Sequence, residues 1–115
     1  MFIGISNKYI SLMININEQG IGYTDFAKIS ENQKEFIDYF FKTRIDFIID
    51  CSKILPRKEF IEKLFVHQKN VNKCFVIVIS SDSNLKFNKE WNIIPTKIEA
   101  FDFISFEKIQ REIGY

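Results

Sequence analysis

The residues of this chain that could do chemistry are few. One histidine, His67, and two cysteines, Cys51 and Cys74, are the only imidazole and thiol groups. Neither His-x-His nor Cys-x-x-Cys spacing occurs, so no metal site is expected, because transition-metal centres draw on several such ligands. His67 lies seven residues after Phe60 and three after Leu64, on the border of an apolar stripe, where an edge-of-core histidine is expected. Ser80-Ser81-Asp82 follows an apolar run, but no G-x-S-x-G elbow is present and a Ser-His-Asp triad is not expected. Gly20-Ile21-Gly22 lacks the third glycine and the Lys-Ser/Thr pair of a phosphate-binding loop. Asp50 ends a strand as the acceptor of a receiver domain does. Such a domain also needs an acidic cluster after its first strand, and the first strands read here end at Ser6 and Asn17. No catalytic residue and no cofactor is assigned.

The turn after Asp50 is the most suggestive surface. Loops at the carboxyl ends of strands in α/β sheets often hold ligands. Residues 51–59, Cys-Ser-Lys-Ile-Leu-Pro-Arg-Lys-Glu, run into a helix N-terminus whose free N–H groups favour an anion. Arg57 and Lys58 add to that field and Glu59 partly fills it. The expected partner-binding residues are Ser52, Lys53, Arg57, Lys58 and Glu59. A second class of function places a small-ligand or nucleotide pocket, or an active site, at the strand ends near Cys51 and Ser81. A third is a structural homo-oligomer, such as a homodimer, built through Phe87, Trp91 and Tyr115. Both cysteines are expected as reduced core thiols, since a cytosolic disulfide is disfavoured.

These residues need elements to hold them. Residues 2–6 and 9–16 read as a β-hairpin around Asn7-Lys8, with Ile10, Leu12, Ile14 and Ile16 on one face. Residues 17–25 read as a loop. Ser30 and Gln33 form a capping-box pattern for a helix over about 31–43, with a short turn at 26–29 before it. Phe36, Ile37, Phe40 and Phe41 supply its apolar stripe. Residues 46–51 and 74–80 read as strands, with continuous apolar runs at 47–49 and 74–79, as expected of strands covered on both faces. Between them a helix starts at Pro56 and buries Phe60, Ile61, Leu64 and Phe65. Phe87 and Trp91 are expected to anchor the polar connection 81–92. Ile93-Ile94 is a short strand stopped by Pro95. Thr96 and Glu99 cap a last helix running to Ile113, with Gly114 as its stop. Ala100, Phe103, Ile104 and Ile109 are expected against the sheet, with a kink near Phe106. The order is β-β-α-β-α-β-β-α, an α/β domain with a mixed sheet spanning residues 1–115.

Composition bounds the function. At 115 residues with 46% apolar content, one core forms without metal or disulfide support. Sixteen basic and fifteen acidic residues leave a net charge of +1, so nucleic acid is not an expected partner. The longest apolar run, 74–79, is far short of the roughly 20 residues that span a bilayer, so no membrane association is expected. The N-terminus has no basic region followed by a long apolar stretch, and the expected location is the cytoplasm.

Residues 47–52 (FIIDCS), 75–80 (FVIVIS) and 93–115 (IIPTKIEAFDFISFEKIQREIGY) together resemble the STAS domain, the fold of bacterial anti-sigma factor antagonists. The resemblance rests most on Pro95, Thr96, Glu99, Ala100, Gly114 and Tyr115. It implies a STAS-like mixed sheet with an N-terminal hairpin and a closing C-terminal helix. It also implies a non-enzymatic regulatory module that binds a protein partner, an anti-sigma factor or kinase-like regulator. The family's switch is a phosphorylated serine in an Asp-Ser-Ser-Gly turn, which this chain lacks. Counted from Asp50, Glu59 is the phosphosite equivalent, so a phosphorylation switch is not expected.

Overall fold

The structure is a computed structural model that describes residues 10–80 and 91–114. The expected strand 2–6, its Asn7-Lys8 turn, Ser81, Phe87 and Tyr115 lie outside the described residues.

The chain forms a five-stranded mixed sheet and four helices among those residues. The strands are β1 (Asn15–Ile16), β2 (Gly22–Asp25), β3 (Phe47–Asp50), β4 (Phe75–Val78) and β5 (Asn92–Ile94). The helices are α1 (Phe26–Ile29), α2 (Gln33–Thr43), α3 (Lys58–Asn70) and α4 (Lys97–Glu112). The strands lie in sequence order; β1 is antiparallel to β2 and the other neighbours are parallel. Parallel crossovers are right-handed. A sheet that adds strands in one direction therefore carries its crossover helices on one face. Phe26, Ile29, Phe36, Phe40, Phe60, Ile61 and Leu64 pack there on Phe47, Ile49, Cys51, Phe75 and Ile77. Phe40 is central, with ring centroids 5.1 Å from Phe47 and 5.9 Å from Phe75. The opposite face belongs to α4, where Ala100 and Ile104 meet Ile21, Ile48, Val76 and Val78. The alternation of β3 between these two cores is why Phe47, Ile48 and Ile49 follow one another without a polar residue before Asp50.

The N-terminal half departs from the sequence reading. Ile10 and Ser11 are helical and residues 12–13 a turn, with the Met13 amide on the Ile10 carbonyl at 2.9 Å, and strand begins only at Asn15. Ile10 and Ile14 are buried whereas Leu12 and Ile16 are exposed. A four-residue spacing fits a helical turn as well as a strand, so the alternation was ambiguous. Within 17–25, read as loop, lies β2, which pairs with β3 along its whole length. Gly20 makes the turn, at φ 79°. Gly22 is a strand residue: a Cβ there would come within 2.7 Å of the Phe47 ring and 2.9 Å of Ile45. Its glycine reports a close approach, not a loop.

Smaller corrections concern helix ends. Helix α2 starts at Gln33 with Asn32 as N-cap, and Ser30 instead ends α1. The Gln33 amide donates to the Ser30 carbonyl at 2.9 Å, so the pair is not a capping box. Pro56 is buried and precedes the α3 N-cap, Arg57. Helix α4 is capped as expected: the Thr96 hydroxyl accepts from the Glu99 amide at 3.2 Å. It runs unbroken past Phe106, and Ile109 faces away from the sheet. Trp91 is buried in the core on the α1–α3 side, so it cannot serve the oligomer surface expected of it. No helix among the described residues is long and apolar enough to cross a membrane.

Candidate functional site

The carboxyl ends of β2 and β3 bring Asp25 and Asp50 side by side as register partners. Asp25 caps α1, accepting from the Ala27 amide at 3.1 Å, and pairs with Lys53 at 3.2 Å. Asp50 accepts from the Tyr23 hydroxyl and from the Ser52 amide, both at 2.9 Å. Tyr23, two residues before Asp25 on β2, stacks on Phe101 of α4 at 6.0 Å, and the Lys97 ammonium lies 4.2 Å over its ring. A cation over an aromatic face is attracted to the ring quadrupole. The first turns of α4 are thus tied to the strand ends through one tyrosine.

Protonation follows from these contacts. Burial alone would raise the Asp50 carboxyl. Hydrogen bonds from Ser52 and Tyr23 and the nearby Lys53 charge outweigh it and hold the group below the usual carboxylate range. Tyr23 is pushed well above its ordinary value by burial, by its hydrogen bond to Asp50 and by the two carboxylates, so its hydroxyl remains a donor. Burial likewise pushes the Cys51 thiol up to about 12, with Asp50 and Asp25 adding to the effect. A thiol so placed is protonated at neutral pH and is no nucleophile. His67 stacks on Phe41 at 4.4 Å, and burial and the Arg44 charge lower its pKa. It is an edge-of-core residue.

The expected binding residues divide into two groups. At the root of the β3–α3 loop the Ser52 amide donates to Asp50, and Lys53, its side chain 73% exposed, pairs with Asp25. Arg57, Lys58 and Glu59 are exposed at the start of α3, and no side chain caps that helix. Between the groups stand Ile54 and Leu55, both more than 40% exposed and followed by buried Pro56. The sequence reading did not single out these two, nor Tyr23, Asp25 and Lys97. The run Ile-Leu before Pro was a visible signal for the first pair; the others depended on β2.

At the opposite end of the sheet, Arg111 of α4 grips Asp46 with one nitrogen at 2.9 and 3.0 Å. Asp46 also accepts from the Cys74 amide at 2.8 Å, and Arg111 donates to the Asn72 carbonyl at 2.9 Å. Open grooves of about 480 and 340 Å³ flank this clamp. Comparison with protein-family models, curated proteins and solved structures finds no match for the chain.

Proposed function

We propose that this protein is a non-enzymatic protein-interaction module, with its partner surface on residues 52–59 and the first turn of α3. The observation that carries this reading is the pair Ile54 and Leu55, exposed on a loop that starts with the Ser52 amide bonded to Asp50 and ends at buried Pro56. Apolar side chains held out by a fixed backbone lose little entropy on binding. Arg57, Lys58 and Glu59 form a charged rim beside them, the usual arrangement of an interface. The STAS resemblance supports the same reading, since it implies a regulatory module that binds an anti-sigma factor or kinase-like partner. Glu59, at the phosphosite-equivalent position, puts a fixed negative charge in the first turn of α3, so partner binding is constitutive and not switched by phosphorylation.

The test is affinity capture with the wild type, with Ile54→Ser/Leu55→Ser, and with Arg57, Lys58 and Glu59 all changed to Ala. Specific partners are expected to be lost from both variants while thermal unfolding is unchanged. If every captured protein survives both changes, the surface is wrongly placed.

A further inference from the structure

Helix α4 has a second face that no described residue covers. Ile98, Phe106, Ile109 and Ile113 are 55–75% exposed. At 100° per residue they fall, with Asp102, within an arc of about 80°, and the stripe is about 22 Å long. Scattered exposed leucines or isoleucines need no explanation, but an apolar stripe along one helix, interrupted here by Asp102, marks a contact surface.

The charges of α4 are sorted as well. All three of its bases turn to the body of the protein: Lys97 lies over Tyr23, Lys108 donates to the Gln19 carbonyl at 2.9 Å, and Arg111 holds Asp46. Glu99, Asp102 and Glu112 are exposed on or beside the stripe. The outer face is therefore apolar, with Asp102 at its middle and Glu99 and Glu112 beside it. A second copy is a poor occupant. Antiparallel pairing about the middle of the stripe sets Glu99 against Glu112 of the other helix, and parallel pairing sets each acid against itself.

We propose that this face of α4 docks a basic amphipathic helix of a protein partner, with apolar residues at i, i+3, i+4 and i+7 in the stripe and Lys or Arg beside the acids. Because α4 and α3 cover opposite faces of the sheet, this surface is separate from residues 52–59. The protein then has two docking faces and can join two partners. The proposal does not depend on the loop reading, and loss of one surface leaves the other measurable.

The test uses two labelled helical peptides of about 18 residues, one built from Leu and Lys and one from Leu and Glu in the same amphipathic pattern, with binding to the full chain read by fluorescence anisotropy. The Leu/Lys peptide is expected to bind and to weaken with added salt. Ile109→Ser/Ile113→Ser is expected to weaken it at least about tenfold, since buried apolar anchors dominate such grooves. Changing Glu99, Asp102 and Glu112 together to Lys is expected to abolish that binding and to confer binding of the Leu/Glu peptide. Ile54→Ser/Leu55→Ser is expected to change nothing. Equal binding of both peptides, no binding of the Leu/Lys peptide, or indifference to the charge reversal overturns the proposal. So does sedimentation showing a dimer of the wild type that Ile109→Ser/Ile113→Ser dissolves.

Discussion

Asp46 and Arg111 show what a residue 65 positions away can do for a fold. The Asp46 side chain is 7% exposed and that of Arg111 25%. Removing one partner of such a pair leaves a charge without compensation, at a cost of about 3 kcal/mol. Arg111→Met is therefore expected to lower unfolding free energy by about 3 kcal/mol in urea titrations, freeing the end of α4 from the sheet. Lys108→Met removes only an exposed contact to a carbonyl and is expected to cost less than about 0.5 kcal/mol. Equal losses would show that the clamp has no special weight. Gly22→Ala tests packing in the same way. The added methyl meets the Phe47 ring, and Phe47 is 1% exposed and enclosed by Phe36 and Phe40, so the ring has little room to yield. Overpacking of this kind costs about 1–3 kcal/mol. Neither residue announced itself in the sequence: Asp46 and Arg111 share no spacing, and Gly22 sat in a run that reads as loop.

Elements whose patterning repeats the same instruction several times were legible. Strand β4 and the first three residues of β3 are uninterrupted apolar runs because both faces are covered, and α4 carries its cap, stripe and stop in order. Strand β2 was not legible. Its inward positions are Gly22 and Thr24, and the apolar contribution that marks a strand comes instead from Ile21 just before it. Missing β2 also hid the Asp25–Asp50 pair, since the two meet only through that strand's register. Helix α4 was misphased at Ile109 because Ile104 and Ile109 cannot share one face: five residues turn a helix by about 140°. Capping gives the prediction proper to this scale. Thr96→Ala removes the acceptor for the Glu99 amide and is expected to cost about 1 kcal/mol in chemical denaturation. Ser30→Ala, which read equally well as a cap, is expected to cost little, because its hydroxyl reaches only the Ala27 carbonyl at 3.4 Å and caps no helix start. A reversal of that order would mean that the sequence pattern outranks the observed hydrogen bonds.

At the scale of the whole molecule, the two cores on either side of the sheet respond together to pH. Cys51 belongs to the core beneath α1–α3, and Cys74 packs against the core beneath α4. Burial pushes both thiols up to about 12 from an ordinary value of 9.0. A group whose pKa is raised by folding stabilises the native state fully below its unfolded value and loses that contribution as pH climbs toward the folded value. Above pH 9 the unfolded chain releases thiol protons that the native state keeps, so stability must fall between about 9 and 12. Tyr23 adds a decline of the same sign that starts near its ordinary value of 10.0. Asp50 acts at the other end: its lowered pKa contributes stability above 3.8 that is lost as pH drops further. The stability profile is thus a plateau with an acid and an alkaline edge. In urea titrations from pH 7 to 11, the Cys51→Ala/Cys74→Ala protein is expected to start less stable and to lose little until pH 10, where the tyrosine decline begins. Tyr23→Phe in that background removes the later decline as well. If the double cysteine variant falls from pH 9 as steeply as the wild type, the thiols are not protected by both cores and the burial on the two faces of the sheet is less complete than described.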